Sequence, residues 1–196
     1  MSHRMEKRIL KTQISIQERK SVRIDLQIED KTHLQKFVDT LQGTYPVNEY
    51  KNGQFRCARI VIEDSHFYDS LYRLGVVTEK SLVLMPPELP EQLIVPFIRG
   101  YFDGDGCLSK HTTRYGTDEY EFSLTGTKEV LEWIVSHLPV NKEVKMKQRH
   151  PENETNNWTI KFCGNQQAYR VMTLLYDKSS IYLDRKYETY LNLVER

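Results

Sequence analysis

The stretch FIRGYFDGDG, residues 97–106, decides the fold of this chain. Gly100 and Gly104 are four residues apart, so on a helix they share one face and leave a groove that a second backbone can approach closely. Each glycine inside a helix costs roughly 1 kcal/mol, so two at this spacing indicate a packing role. Asp103 and Asp105 fall near the C-terminal end of that helix, where the macrodipole disfavours carboxylates. A divalent cation beside them would offset this cost.

Residues 98–106 resemble the signature nonapeptide of the LAGLIDADG homing endonucleases. The residues in register with that motif are Gly100, Asp103, Asp105 and Gly106. Two further segments are similar to intron- and intein-type members: SLTGTKE at 123–129, expected to open a helix, and IYLDRKY at 181–187. A solvated turn after a helix is the alternative interpretation of DGDG, but such a turn does not explain the glycine spacing.

The composition is that of an ordinary soluble protein of 196 residues with a formal net charge of +1. A dedicated nucleic-acid binder is usually strongly basic, so DNA binding would require separate basic and acidic faces. The three cysteines are scattered and odd in number, which is typical of reduced thiols in an intracellular protein. No signal peptide or apolar membrane-spanning run is visible. We therefore expect an intracellular protein, cytoplasmic or organellar and not secreted, with no membrane partner.

The order of predicted strands and helices repeats along the chain. Period-2 alternation predicts strands at 13–17, 22–28, 54–62, 119–124, 144–149 and 158–162. Apolar residues at helical spacing predict helices at 127–138, 166–175 and 185–194, with Thr127 as the N-cap of the first, and Asp30 and Asp64 are predicted N-caps of two earlier helices. Residues 85–90, MPPELP, contain three prolines and are the predicted linker. The predicted domains are an N-terminal half at 1–84 and a C-terminal half at 91–196.

The resemblance implies a mixed α/β (α+β) fold of two pseudo-symmetric αββαββα halves, whose antiparallel sheets form a saddle on DNA. Residues 1–11, MSHRMEKRILK, contain neither Gly-x-x-x-Gly nor Asp-x-Asp. We therefore expect the first half to lack its acidic helix. Pro96 stands just ahead of the motif and is predicted to be the first residue of a helix or a kink.

The resemblance also implies a metal-dependent DNA endonuclease that takes part in intron or intein mobility. Hydrolysis of a phosphodiester needs an activated water and relief of charge on the leaving oxygen, and divalent ions supply both. The resemblance makes Asp105 the ligand of Mg²⁺ or another divalent cation, and Asp103 a structural residue at the helix end. It places Lys186 near a scissile phosphate, with Lys80 as its first-half counterpart. For each lysine alone, a surface charge is the alternative.

The partner that the resemblance implies is double-stranded DNA, with a strand pair in the major groove and alternate side chains directed at base edges. The polar side chains predicted to face DNA are Gln13, Ser15, Gln17, Arg23, Gln27, Lys145, Lys147, Arg149, Thr159 and Lys161. Alternation alone fits a solvated sheet face equally well, and the motif favours DNA.

A single acidic motif leaves several hypotheses open. The chain is a form that lacks its first helix, or it forms a homodimer through helix 96–103 so that two copies of Asp105 meet. Alternatively it has lost cleavage and is a DNA-binding regulator or splicing cofactor of the same fold. A further alternative is a protein-binding adaptor, which only the near-neutral charge supports.

Overall fold

The structure, a computed structural model, describes residues 13–17, 20–77, 82–141, 143–153 and 155–195. Its first elements are β1 (Gln13–Gln17), β2 (Ser21–Gln27), α1 (Lys31–Thr40), β3 (Asn48–Asn52), β4 (Phe55–Ile62) and α2 (Ser65–Arg73). Those that follow are α3 (Glu91–Asp105), β5 (Gly106–Thr112), β6 (Asp118–Gly126), α4 (Lys128–Ser136), β7 (Lys145–Gln148), β8 (Trp158–Cys163), α5 (Asn165–Tyr176) and α6 (Asp184–Val194).

The strands form two four-stranded antiparallel sheets with the same internal order, β1-β2-β4-β3 in the first sheet and β5-β6-β8-β7 in the second. This confirms the mixed α/β fold expected from the sequence. The expected lack of an acidic helix in the first half concerns residues 1–11, which lie outside the described residues. The domain division at 85–90 stays a prediction.

Each sheet has an apolar face and a polar face, because side chains alternate along a strand. In the first sheet Val22 pairs with Ile62 and Ile24 with Ile60 on the apolar face. In the second sheet Phe122 pairs with Phe162, and its ring stacks on that of Phe102 from α3 at 4.9 Å between centroids. We call the opposite, polar face of each sheet its outer face.

Of the predicted N-caps, Asp64 caps its helix, whereas the side chains of Asp30 and Thr127 bind other partners. The carboxylate of Asp64 accepts a hydrogen bond from Phe67 N at 2.7 Å, as an N-cap should. Asp30 is the N-cap of α1 by position, but its carboxylate makes no cap bond and instead accepts from Arg185 Nε at 3.1 Å. Thr127 precedes α4 but donates to Leu84 O at 2.6 Å. Tertiary partners therefore compete successfully for two of the capping side chains.

The signature helix is longer than predicted, since α3 runs over Glu91–Asp105 and Pro90 is its N-cap. Pro96 therefore lies inside the helix, and its assignment as the first helical residue is wrong. Pro90 fits the helix start because a fixed backbone φ is compatible with that position. The apolar residues Ile98 and Phe102 of α3 are fully buried, which anchors the helix to the second sheet.

Gly106, where α3 passes directly into β5, allows a close backbone approach. A Cβ at this position would lie 2.2 Å from Cδ2 of Phe102 and 2.7 Å from its carbonyl oxygen. A Cβ at Gly100 would meet nothing within 4 Å. Gly100 and Gly106 therefore have different structural roles.

We predict that Gly106→Ala lowers the free energy of unfolding by about 1–3 kcal/mol, because the added methyl overlaps Phe102. The matched variant Gly100→Ala should leave stability unchanged or raise it by up to about 1 kcal/mol, since alanine favours the helix. Urea unfolding of the monomer measures both effects. Equal destabilisation by the two substitutions would contradict the assignment.

Candidate active site and DNA-binding surface

A cleft of about 890 Å³ lies between the two sheets and is lined by α1, α3 and the start of α6. The residues of the motif that line it are Gly100, Asp103, Gly104, Asp105 and Gly106. Gln27 from the first outer face and Thr125 from the second also line it. Ile24, Leu26, Leu34 and Phe37 line it from the apolar side of the first sheet, so the cleft lies between that side and α3 and reaches the outer faces at Gln27 and Thr125.

The two carboxylates at the end of α3 have opposite environments. Asp103 is buried and accepts hydrogen bonds from Tyr176 Oη at 2.6 Å and Leu183 N at 3.1 Å. Burial raises the pKa of Asp103, and the hydrogen bond from Tyr176 and the charge of Lys186 act in the opposite direction. Asp105 is exposed to the cleft. Asp105 is therefore the carboxylate of the pair that is accessible to a ligand.

Lys186 is only 6% exposed. Its ammonium donates to Phe102 O at 2.6 Å and Asp103 O at 2.7 Å, and so binds carbonyls at the C-terminal end of α3. Its pKa is lowered to about 8, first by burial and then by the charge of Arg185, while Asp103 and Asp105 act to raise it. The buried, titratable ammonium of Lys186 therefore lies beside the helix end that holds Asp105.

The charge of Asp105 also acts on Tyr101. Burial raises the pKa of this phenol, and Asp105 raises it further. Tyr101 lies against Gly126, where an added Cβ would be 2.1 Å from its hydroxyl oxygen. The glycine at the end of β6 therefore makes room for a side chain of the signature helix.

Polar contacts join α1 to the start of α6 and form one wall of the cleft. Arg185 Nε binds both carboxylate oxygens of Asp30, at 3.1 and 3.3 Å. His33 Nδ1 lies 3.1 Å from Tyr182 O, and Lys36 forms an ion pair with Asp184. These contacts fix the first sheet relative to the helix that carries Lys186.

The predicted DNA-facing residues of the second sheet share its outer face. Lys145 pairs with Lys161 and Lys147 with Thr159 across β7 and β8. Lys161 also forms an ion pair with Glu121 at 2.7 Å, which lowers the pKa of that carboxyl. These residues and Arg149 line a groove of about 590 Å³.

In the first sheet Arg23 and Gln27 lie on the outer face of β2. Backbone register places Gln13, Ser15 and Gln17 of β1 opposite Asp25, Arg23 and Ser21, so β1 continues the same face. Lys80 falls in residues 78–81, outside the described residues. Gly100 and Gly104 lie along the cleft.

Sequence reasoning missed several residues of these surfaces. Tyr50 and Arg59 contact Asp25 on the first outer face, Glu121 pairs with Lys161, and Tyr176 holds Asp103. Cross-strand register and helix packing bring these residues together, and alternation within one strand does not reveal either. One signal was present in the sequence, because Asp25 lies among the polar positions of β2 and a carboxylate there indicates a cationic partner on the same face.

Several solved structures of homing endonucleases are similar in fold to this chain. The LAGLIDADG homing endonuclease I-GzeII in complex with its DNA target aligns with a TM-score of 0.62 and 11% identity over 89% of this chain and 78% of that chain. I-LtrWI bound to target DNA aligns with a TM-score of 0.58 and the same identity and coverage. The meganuclease I-SmaMI bound to uncleavable DNA gives 0.59, also at 11% identity, 89% and 78%. The chain has the LAGLIDADG homing-endonuclease fold, which DNA-binding nucleases use.

Neither a protein-family model nor a curated protein matches the sequence. Across the described ranges, no helix is both long and apolar enough to span a membrane.

The side chains of the cleft decide what kind of divalent-cation site it could form. Among the residues that the structure describes, no group of three or more His, Cys, Asp or Glu side chains is arranged to hold a metal. Mg²⁺ usually keeps several waters and takes one or two carboxylates together with phosphate oxygens of the substrate. The exposed carboxylate of Asp105 in an open cleft fits such a shared ion, and does not fit a site built from protein ligands alone.

The lowered pKa of Lys186 predicts a pH dependence of stability. Its folded pKa of about 8 lies below the ordinary value of 10.5, so between these two pH values the unfolded state binds more protons. Stability contributed by this residue should therefore rise with pH across the window, by up to roughly 3 kcal/mol. Unfolding free energies at pH 7.5–10 measure it as the difference between the wild type and Lys186→Met. A difference that stays constant or falls with pH would refute the shift.

Proposed function

We propose that the protein is a sequence-specific DNA-binding endonuclease of the homing type that hydrolyses phosphodiester bonds with Mg²⁺ or another divalent cation. One observation carries this proposal. The helix α3 ends at an exposed Asp105 in the cleft, and the buried Lys186 of α6 binds backbone carbonyls at the same helix end. Its biological role would be intron or intein mobility inside the cell, in the cytoplasm or an organelle.

The DNA would lie across both outer faces. A strand pair fits the major groove, and alternate residues reach base edges. The net charge of the chain is only +1, but Lys145, Lys147, Lys161 and Arg149 are concentrated at one groove of the second sheet. Glu121 and Glu143 line the same groove and offset two of these four cations, and the remaining positive charge supplies a local attraction for phosphate.

At the reaction centre Asp105 would hold the divalent ion together with phosphate oxygens. When bound, the ion supplies an activated water and neutralises charge on the leaving oxygen. Lys186 fixes the end of α3 through two backbone carbonyls, and below pH 8 its ammonium contributes positive charge to the cleft that receives the phosphate. Asp103 positions the same helix end through Tyr176 and Leu183.

We predict that Asp105→Asn abolishes Mg²⁺-dependent cleavage and leaves DNA affinity unchanged or slightly tighter, because it removes one negative charge near phosphate. The matched control is Glu188→Gln, an exposed residue of α6. Plasmid cleavage and gel shift on a selected target site measure the two properties. Full cleavage by the Asn variant would refute the assignment of Asp105.

Cleavage of both strands would require a second acidic helix, supplied by a second copy of the chain or by residues upstream of Met1. The described residues hold one exposed carboxylate at the end of a glycine-grooved helix, whereas each strand needs its own carboxylate–metal centre or a shared ion. The homodimer predicted through helix 96–103 would place a second copy of α3 along Gly100, where there is open space for close approach.

We predict that dilute protein nicks a supercoiled target plasmid and that linear product rises with the square of protein concentration. Gly100→Leu should suppress the linear product and retain nicking, because the larger side chain fills the helix groove. Sedimentation on the same samples gives the oligomeric state. Direct linearisation by a monomer would contradict the proposed dimer.

A catalytically degenerate DNA-binding protein, such as a regulator or splicing cofactor, is the second candidate. It is favoured by the observation that Asp103 is committed to structural hydrogen bonds, which leaves Asp105 as the accessible carboxylate of the motif. Tight, salt-dependent binding without cleavage in Mg²⁺ or Mn²⁺ would select this candidate. Absence of DNA binding would leave the protein-binding adaptor.

A further inference from the structure

The outer face of the first sheet holds a carboxylate that is almost completely covered. Asp25 is 4% exposed, although it lies on the polar side of the sheet, opposite the half-buried Ile24. Its covering groups are polar side chains of the same sheet: Arg23 of β2, Tyr50 of β3 and Arg59 of β4. We call these four residues the Asp25 cluster.

Arg59 is held in one orientation by two contacts. Its Nε donates to Asp25 Oδ1 at 2.5 Å, and its guanidinium carbon lies 4.1 Å from the centroid of the Tyr50 ring. Tyr50 Oη donates to the same carboxylate oxygen at 2.8 Å. Because the cross-strand partner of Arg59 is Asp25 itself, the pair sits on the two central strands of the sheet.

Arg23 is held less firmly. Its Nε is 3.0 Å from Asp25 Oδ2, yet this buried nitrogen makes no hydrogen bond of good geometry. Charge therefore attracts Arg23 to the carboxylate without fixing its direction. Arg59 is the arginine of the cluster whose position is determined before any ligand binds.

We propose that Asp25 and Tyr50 are positioning residues that hold Arg59 ready to bind guanine in the major groove, a proposal that rests on the proposed DNA-binding function. Arginine binds the O6 and N7 atoms of guanine with two donors, and this is the commonest specific contact to a base. Arg59 uses its Nε for Asp25, so the terminal nitrogens are the pair suited to guanine. A side chain that is already fixed loses less entropy on binding.

A base contact fits the cluster better than a phosphate contact. The carboxylate beneath the arginines would repel a phosphate, whereas it orients a guanidinium toward an uncharged base edge. Phosphates lie at the rims of the groove, and central strands lie over its floor. A covered carboxylate needs a cationic partner for stability alone, and one guanidinium already neutralises its charge.

The test is selection of target sites from a randomised DNA library, followed by affinity measurements on the selected duplex and on duplexes with one base pair changed. The variants are Arg59→Ala and Arg59→Lys, with Arg56→Ala as the matched control. Arg56 is on the same strand but is exposed, and it pairs with Glu49 at 3.0 Å. We expect wild type and Arg56→Ala to share a guanine preference of roughly 10- to 100-fold at one position.

Arg59→Ala should lose that preference. Arg59→Lys should keep part of it, because lysine also donates to guanine O6 and N7, and should keep the salt dependence of wild type because the charge is retained. Asp25→Asn and Tyr50→Phe should weaken the same preference while the other selected positions stay unchanged. A purely structural role predicts a lower melting temperature with the guanine preference intact.

The outcomes separate this proposal from the one on which it rests. If wild type binds the selected DNA and Arg59→Ala keeps the guanine preference, the assignment of Arg59 is overturned and DNA binding stands. If Asp25→Asn folds and keeps the preference, the positioning role is overturned. If wild type selects no DNA, both proposals are overturned.

Discussion

The ammonium of Lys186 donates hydrogen bonds to Phe102 O and Asp103 O at the C-terminal end of α3, and the geometry of the cleft depends on this contact. Hydrogen bonds that involve a charged group stabilise by about 1.5–3 kcal/mol, which offsets part of the cost of burying this ammonium. The contact places a cation where the helix macrodipole favours one. It also joins α6 to α3, so the segment that follows α5 and the helix that carries the motif are held as one unit.

Two aspartates only two residues apart at this helix end have different environments. Asp103 faces the packed interior, where Tyr176 and the Leu183 amide satisfy it. Asp105 is the last residue of α3 and faces the cleft. One carboxylate thus fixes the helix end, and the other is presented to whatever enters the space between the sheets. Ion pairs between α1 and the start of α6 set the width of that space.

Much of the fold follows from the sequence because its signals are local. Alternation in β2, β6 and β8 and helical spacing in α4, α5 and α6 predict these elements within a few residues. β3 was missed because its sequence, NEYKN, contains no apolar alternation and becomes a strand by pairing with β4. The extent of α3 was underestimated because Pro96 suggested a start that is in fact an interior position.

The candidate site was only partly predictable. The motif itself identifies Asp105, and its neighbouring Gly100 and Gly104 identify the helix face that lines the cleft. The bonds of Lys186 to backbone carbonyls and the convergence of Tyr50 and Arg59 on Asp25 depend on tertiary packing and cross-strand register. No spacing along one strand or helix encodes them, so the structure was needed to find them.

A structure of the protein with its selected DNA and Ca²⁺, which occupies such sites without supporting rapid hydrolysis, tests the central claim most directly. The account predicts a calcium ion with a carboxylate oxygen of Asp105 at about 2.3–2.6 Å and a DNA phosphate in its coordination shell, with the duplex lying across both outer faces. DNA bound elsewhere on the protein, or a calcium ion that Asp105 does not contact, would contradict it.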